Sequence, residues 1–377
     1  MVETIAFQVQ GHWNVTNKKT LSASIFTGKT IRPGQWPNQW HDWQWQFKNR
    51  LHSLPQLAAW LALPPDRLRR LRPVVNAYPL SITPYYLSLI DGNDDHDPIR
   101  RQCFPDLQEI RFSLGGEADP LAEHEQMPVP GLVHRYADRC LILTTHVCSV
   151  YCRHCNRKRL WGQKPAAPTS NYYPAMMAYI AQTPSIREVI LSGGDPLILS
   201  DETLDRLLAS LRAIPHVEVI RIGSRVPAVL PMRITEDLCR ILRRYRPLWL
   251  NTQFNHPREI TPESGTACDR LVSAGIPVSN QSVLLKGVND NEGVMGALLY
   301  KLQEISVRPY YLFQCDPVAG TDHFRVDIPK GMAIMESLWS THSGLCLPRY
   351  VLDIPGAKGK IPLQPFSLQS APCLPKP

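Results

Sequence analysis

Three cysteines, Cys148, Cys152 and Cys155, stand in the run HVCSVYCRHCNRKRLWG with the spacing C-x3-C-x2-C. Thiolates this close on one loop can reach three corners of a single inorganic cube. A [4Fe–4S] cluster has four irons, so one iron would lack a protein ligand and stand open to a small molecule. The competing reading is a zinc site with His154 as the fourth ligand, and spacing alone does not separate the two. Further along, EVILSGGDPLILS brings Ser192, Gly193, Gly194 and Asp195 together at the end of an apolar run. Paired glycines there let backbone approach a ligand closely; they would equally serve a plain strand-to-helix turn.

These groups need elements to hold them. Short apolar runs predict strands at Cys140–Thr145, Glu188–Ser192, Val217–Gly223, Leu248–Phe254, Ile276–Leu284 and Pro309–Gln314. Helical patterns such as DETLDRLLASLRAI and EGVMGALLYKLQEI lie between them. Strand–helix alternation of this kind predicts parallel pairing with right-handed crossovers. Six units are fewer than the eight of a closed barrel, so an open, partial barrel and a doubly wound sheet both fit. In either, ligands bind beyond the carboxyl ends of the strands, where the cysteine loop and the glycine pair fall. The chain divides into a mostly helical region at 1–125, the strand–helix region at 126–353 and a short proline-rich extension at 354–377.

The first region holds six of the nine tryptophans, all at or before Trp60. WHDWQWQFKNRL, Trp40 to Leu51, has aromatic and aliphatic residues at helical spacing and reads as a face that packs on the main domain. DGNDDHD, Asp91 to Asp97, superficially suggests a calcium loop, but its sixth position is His96 and its twelfth Gln102, where glycine and glutamate are needed.

The 377 residues carry 44% hydrophobic and 20% charged side chains, a globular composition that excludes a disordered chain. No uninterrupted apolar stretch reaches the ~18 residues of a spanning helix. MVETIAFQVQGHW has an early acid and no apolar core, so no signal peptide and a cytoplasmic location are expected. The net charge of +8 is spread along the chain; surface charge and pockets for anionic cofactors explain it without a nucleic-acid partner. Seven further cysteines, Cys103, Cys140, Cys239, Cys268, Cys315, Cys346 and Cys373, are scattered singly and read as buried thiols.

Taken together, the motifs resemble the radical S-adenosylmethionine (SAM) superfamily and, within it, the lysine 2,3-aminomutase family. The resemblance runs from about Trp40 through ITPYYLSLID, HRYADR, CSVYCRHCNRKR, LSGGDPL, IRIGSRVPAVLPMRIT, NTQFNHPREIT, GIPVSNQSVLLKGVND, YYLFQCDPVAGTDHFR and HSGLCLP to DIPGAKGKIP, in one unbroken order. It implies an α/β fold, a partial (β/α)6 radical SAM barrel with an N-terminal helical region and a short C-terminal extension. It implies three cofactors: a [4Fe–4S] cluster on Cys148, Cys152 and Cys155, SAM on the open iron, and pyridoxal phosphate.

By the same resemblance the segment Ser192–Asp195 meets the methionyl amino group of SAM, and His154 and Gln281 help to hold that molecule; Gln281 could instead be a satisfied core residue. Lys360, seven residues after Asp353, matches the Schiff-base lysine. Ala357 and Lys358 interrupt the family's all-glycine run there, and Lys358 is a rival. Arg135 and Tyr136 match a phosphate-binding pair, Arg157 a clamp for the amino acid carboxylate, and Asp316 with Asp353 a pair that grips the distal ammonium of lysine. Asn291 stands where some relatives have a zinc-binding cysteine and only Cys373 is left near the end, so no structural zinc is expected.

The activity implied is interconversion of L-lysine and β-lysine, with a reducing donor such as flavodoxin or ferredoxin and no nucleic-acid or membrane partner; homo-oligomer formation stays open. Alternatives are arginine as substrate, a relative whose β-lysine modifies elongation factor P, and a non-catalytic iron–sulfur or zinc protein that binds nucleic acid.

Overall fold

The computed structural model describes residues 24–26, 29–30, 37–61, 63–111, 116–162, 169–354 and 359–363. Lys358 and Cys373 lie outside the described residues. Nine strands form one sheet in chain order: β1 (Leu132–Tyr136), β2 (Arg139–Leu143), β3 (Glu188–Ser192), β4 (Val219–Gly223), β5 (Leu248–Thr252), β6 (Val278–Leu284), β7 (Arg308–Gln314), β8 (Arg349–Leu352) and β9 (Ile361–Pro362). Strands β2 to β8 are parallel, while β1 and β9 run antiparallel at the two edges.

All six expected strands are present, and a seventh parallel strand, β8, joins them. The sheet is not closed by hydrogen bonds between its edges, which makes it the partial barrel expected. It curls far enough, however, for side chains at the two edges to meet. Arg135 on β1 pairs with Asp353 just after β8 at 2.8 Å, and the Lys360 ammonium, just before β9, donates to the Tyr136 hydroxyl at 3.3 Å.

The crossovers are helical because parallel neighbours require a long return. In the helix Asp201–Arg212, Leu204, Leu207, Leu208 and Leu211 form one buried stripe, and Ser200 caps the start by accepting from the Thr203 amide. Thr235, Thr261 and Asn291 cap the helices that begin at Glu236, Pro262 and Glu292 in the same way. Asn291, the residue in place of a zinc cysteine, thus has a local structural task.

Strands β3 and β4 alternate strictly: Val189, Leu191, Ile220 and Ile222 are buried, whereas Glu188, Ile190, Ser192, Arg221 and Gly223 line a cavity. Parallel strands usually carry apolar side chains on both faces. Here the inner face is polar because it walls a binding space.

The helices before β1 share the same apolar core, which runs from Trp40 to Tyr350. The aromatic run does pack on the main body: Trp40 is buried, and the Arg233 guanidinium lies 4.5 Å from the Trp43 ring centre. The acids of Asp91–Asp97 are used locally. Asp97 caps the helix Pro98–Cys103 and pairs with Arg258 at 2.6 Å, and Asp95 pairs with Arg67 and Arg100.

Candidate active site

A cavity of about 720 Å³ lies inside the curled sheet, lined by strand residues and by the loops that follow the strands. Its size is that of a cofactor site. The cysteine loop lies at one end, immediately after β2, and the helical region braces it through main-chain bonds. The Tyr151 amide donates to Ser81 O at 2.9 Å, the Arg153 amide to Gln102 O at 2.8 Å, and Arg50 Nη1 to Cys148 O at 2.6 Å.

Side chains of the loop are locked as well. Arg153 and Lys158, both almost wholly buried, converge on the Glu109 carboxylate at 2.6 and 2.8 Å. Burial alone would push Glu109 up; the two cations outweigh it and hold the carboxyl below its usual range. Burial also draws Lys158 down to about 8 against the pull of Glu109. Removing one member of such a buried network strands the others and costs about 3–5 kcal/mol.

Cys148, Cys152 and Cys155 all face the cavity. Burial, reinforced by Asp195 and the other two cysteines, pushes the Cys148 thiol well up, and burial pushes Cys155 to about 11. Hydrogen-bond donors already face two of the three sulfurs. Arg225 Nη1 lies 2.7 Å from Cys152 Sγ, and the Arg157 amide donates to Cys155 Sγ at 3.3 Å.

Among the described residues no three His, Cys, Asp or Glu side chains converge as a single ion requires. His154 is turned toward two amides, with Nε2 3.3 Å from Asn255 Nδ2 and 3.4 Å from Gln253 Nε2. Burial keeps this imidazole neutral, and its Nδ1 is buried without a partner. The donor set therefore fits a three-cysteine cluster better than a zinc with His154 as ligand. The orphaned Nδ1 is a group that a bound molecule could satisfy.

The glycine pair has a sharper reason than ligand approach. A Cβ on Gly194 would stand 2.1 Å from Val147 O, and Gly193 holds a φ of +122°. The Gly194 amide donates to Thr145 O at 2.5 Å and the Asp195 amide to Val147 O at 2.9 Å. The turn after β3 is thus nested directly against the start of the cysteine loop. The Asp195 carboxyl accepts from Ser224 Oγ at 2.6 Å and the Arg225 amide at 2.9 Å. Burial raises it to about 6.

Arg157, Asp316, Asp353 and Lys360 line the same cavity, and Asn156 Nδ2, beside Cys155 in the chain, donates to Asp316 Oδ2 at 3.3 Å. Asp353 is shared: its Oδ1 meets Arg135 Nη1 at 2.8 Å, and its Oδ2 meets Lys360 Nζ at 3.1 Å. Arg135 Nη2 donates to Ile354 O at 2.6 Å, so this guanidinium is already partly engaged. Lys360 is ringed by Tyr136, Phe313 and Tyr311, with centroids at 5.4, 5.7 and 6.0 Å. An amine in so apolar a frame with one carboxylate fits a group that can condense with a carbonyl.

Burial and then the Asp353 charge raise Asp316 to about 7, against the pull of Asn156, Lys360 and Arg157, and its Oδ1 is buried without a partner. That unfilled acceptor suits a cation from outside the chain. Gln281, on β6, and Ser192 complete the lining.

Sequence reasoning missed several of the groups that hold this site. Glu123 takes Arg157 in a two-pronged grip, with Nη2 at 2.7 Å and Nε at 3.0 Å from Oε1, and accepts from Arg159 at 2.7 Å as well. Burial works against the Glu123 charge, but the Arg157 and Arg159 contacts outweigh it and hold the carboxyl at about 2. Arg157 Nη1 reaches Ser192 Oγ at 3.1 Å. Arg139 stacks 3.9 Å from the Tyr136 ring centre, and Arg221 pairs with Glu188 on the cavity wall. Arg139 ends the HRYADR motif and Arg225 sits in IGSRVP, so both were within reach of the motif reading; Glu123 had no local signal.

Residues 142–295 match the Radical SAM superfamily. The chain is 48% identical over 342 residues to the L-lysine 2,3-aminomutase of Fusobacterium nucleatum subsp. nucleatum, covering 91% of this chain and 80% of that one. It is 49% identical over 326 residues to the L-lysine 2,3-aminomutase of Clostridium subterminale, covering 86% and 78%. A glutamate 2,3-aminomutase of Clostridioides difficile is 39% identical over 331 residues, covering 88% and 78%. No helix among the described residues is long and apolar enough to cross a membrane.

Proposed function

The chain belongs to the lysine 2,3-aminomutase family of the radical SAM superfamily, and on that premise we propose that it interconverts L-lysine and β-lysine by moving the α-amino group to the β-carbon. It is an isomerase that works with a [4Fe–4S] cluster, S-adenosylmethionine and pyridoxal phosphate. The observation that carries the reading is one cavity holding both the three thiols and Lys360 with its acid pair.

Cys148, Cys152 and Cys155 would hold the cluster. Ser192, Gly193, Gly194, Asp195, His154 and Gln281 would seat SAM beside it, and Lys360, Arg135 and Tyr136 would seat pyridoxal phosphate. When bound, the cluster and SAM supply an organic radical that takes hydrogen from carbon, and pyridoxal phosphate supplies a carbonyl that can carry the migrating amino group.

The chain's own residues set position and protect the chemistry. Arg157, whose Nε and Nη2 are held by Glu123, would turn Nη1, now on Ser192 Oγ, to the substrate carboxylate. Asp316 and Asp353 offer two anions to a distal cation. Together the three residues fix both ends of the amino acid, so that the β-carbon is presented in one orientation. The curled sheet keeps water away from a reactive carbon radical. Two neighbouring carboxylates disfavour the second carboxylate of glutamate, a charge argument for a basic substrate. A small reducing protein supplies the electron, and Arg50, Ser81 and Gln102, ahead of β1, brace the cysteine loop.

An anaerobic assay after cluster reconstitution, with lysine, arginine, ornithine and glutamate in parallel, tests the proposal. A β-amino acid from lysine at the highest kcat/KM supports it. Preference for arginine redirects the substrate assignment, and no product from any of them rejects mutase activity.

A further inference from the structure

Arg225 enters the cavity from the loop after β4, whereas Cys152 sits on the loop after β2. The guanidinium reaches across, with Nη1 2.7 Å from Cys152 Sγ. Nη2 and Nε are committed elsewhere. Nη2 donates to Glu259 Oε1 at 2.6 Å, Gln102 Oε1 at 2.5 Å and Tyr86 Oη at 3.0 Å, and Nε donates to Gln253 O at 3.2 Å. Its own amide donates to Asp195 Oδ2 at 2.9 Å. Arg225 is 7% exposed and Glu259 is fully buried.

The carboxylate is fixed as firmly as the cation: Glu259 Oε2 accepts the Asn255 amide at 2.6 Å and the His256 amide at 2.8 Å, and Tyr86 donates to Oε1 at 2.8 Å. A rigid, dry cation that hydrogen-bonds one sulfur of the trio is more than a loop brace needs; Arg50, Ser81 and Gln102 already hold the loop's backbone.

We propose that Arg225 is a positioning residue that sets the reduction potential of the cluster through Cys152, and that Glu259 moderates it with the opposite sign. The inference rests on the reading that the three cysteines carry a [4Fe–4S] cluster. Reduction adds one electron to the cluster and moves no proton or other atom. A positive charge and a hydrogen bond at a ligand sulfur favour the reduced form, because they stabilise the added negative charge. The buried carboxylate behind the guanidinium offsets part of that field.

The test is a redox titration of the reconstituted protein, followed by the electron paramagnetic resonance signal of the reduced cluster, for wild type, R225M, R225K and E259Q. Iron and sulfide are counted per chain in every sample. R225M should lower the potential by at least the equivalent of a tenfold shift in the reduction equilibrium, about 59 mV for one electron. R225K, which keeps the charge and loses the fork, should fall between R225M and wild type. E259Q should raise the potential.

A cluster present at full content with an unmoved potential in both R225M and E259Q overturns the inference. Shifts of the same sign in the two variants overturn it too, since general loosening of the site would act alike on both. If R225M takes up no cluster, R225K and E259Q decide by the same signs. Wild-type protein that holds no iron–sulfur cluster would instead sink the underlying cofactor reading.

Discussion

Lys360 and Asp353 form an ion pair at 3.1 Å, between a residue that leads into the last strand of the sheet and one that ends the last parallel strand. The same carboxylate holds Arg135 from the opposite edge. One acid therefore orients both the amine that would carry pyridoxal phosphate and the arginine that would meet its phosphate.

Lys360→Ala should abolish borohydride-trappable pyridoxal phosphate and reduce mutase turnover below detection, while iron content stays at the wild-type level. Peptide mapping of the reduced wild-type protein should place the label on residue 360. A label on Lys358 would reassign the lysine.

Asp316→Asn and Asp353→Asn should each raise the KM for lysine more than they lower kcat. Leaving a buried charge without its partner costs about 2–5 kcal/mol, which is roughly 30-fold or more in affinity. Steady-state kinetics with lysine checks this, and an unchanged KM in both variants would remove the acid pair from the substrate site.

Acidification should weaken substrate capture through Asp316. Burial and the Asp353 charge raise its carboxyl to about 7, so in the free enzyme it is ionised above that pH and protonated below. A neutral carboxyl attracts an ammonium poorly. The kcat/KM for lysine should hold steady above about pH 7 and fall up to about tenfold per unit below it. In Asp316→Asn this acid limb should vanish at a lower overall level, as a pH profile of the two proteins would reveal.

Glu123→Gln should loosen Arg157 without deleting it. Charge-assisted hydrogen bonds contribute about 1.5–3 kcal/mol each, so kcat/KM should drop about 10- to 100-fold, chiefly through KM. Glu123→Asp should recover part of the loss. Equal failure of both variants in thermal melting would instead mark Glu123 as a folding residue.

Gly194→Ala should destabilise the protein and impair cluster loading together. The new Cβ would meet Val147 O at 2.1 Å, and forcing extra volume into a packed site costs about 1–3 kcal/mol. Thermal denaturation and iron analysis of the same preparation give both readouts; normal stability with normal iron would contradict the nesting described here.

The strand–helix alternation of the barrel could be read from the sequence because short apolar runs alternate with stretches of helical pattern, as in Asp201–Arg212 with its leucine stripe. Strands β1, β8 and β9 could not. They are short, and RYVL and IP carry too few residues for a period of two to stand out. Local motifs likewise exposed the cysteines, the glycine pair and Lys360. Glu123, Glu109 and Glu259 stayed hidden because their importance comes from partners 34, 44 and 34 residues away, Arg157, Arg153 and Arg225. An isolated glutamate looks the same on a surface as in a buried network until the fold supplies its counter-charge. The glycine pair was assigned to the right place for an incomplete reason, since only the packed backbone reveals what a Cβ would strike.

The meeting of the sheet's two edges has a consequence for biogenesis. A ribosome delivers Arg135, the cysteine loop and most of the wall well before Asp353 and Lys360 emerge. A nascent or truncated chain ending short of those residues would own the apparatus for making a radical and nothing to aim it with. On the proposed roles, synthesis through residue 360 is the step that unites the generator with its target, and vitamin B6 would not be tethered ahead of it.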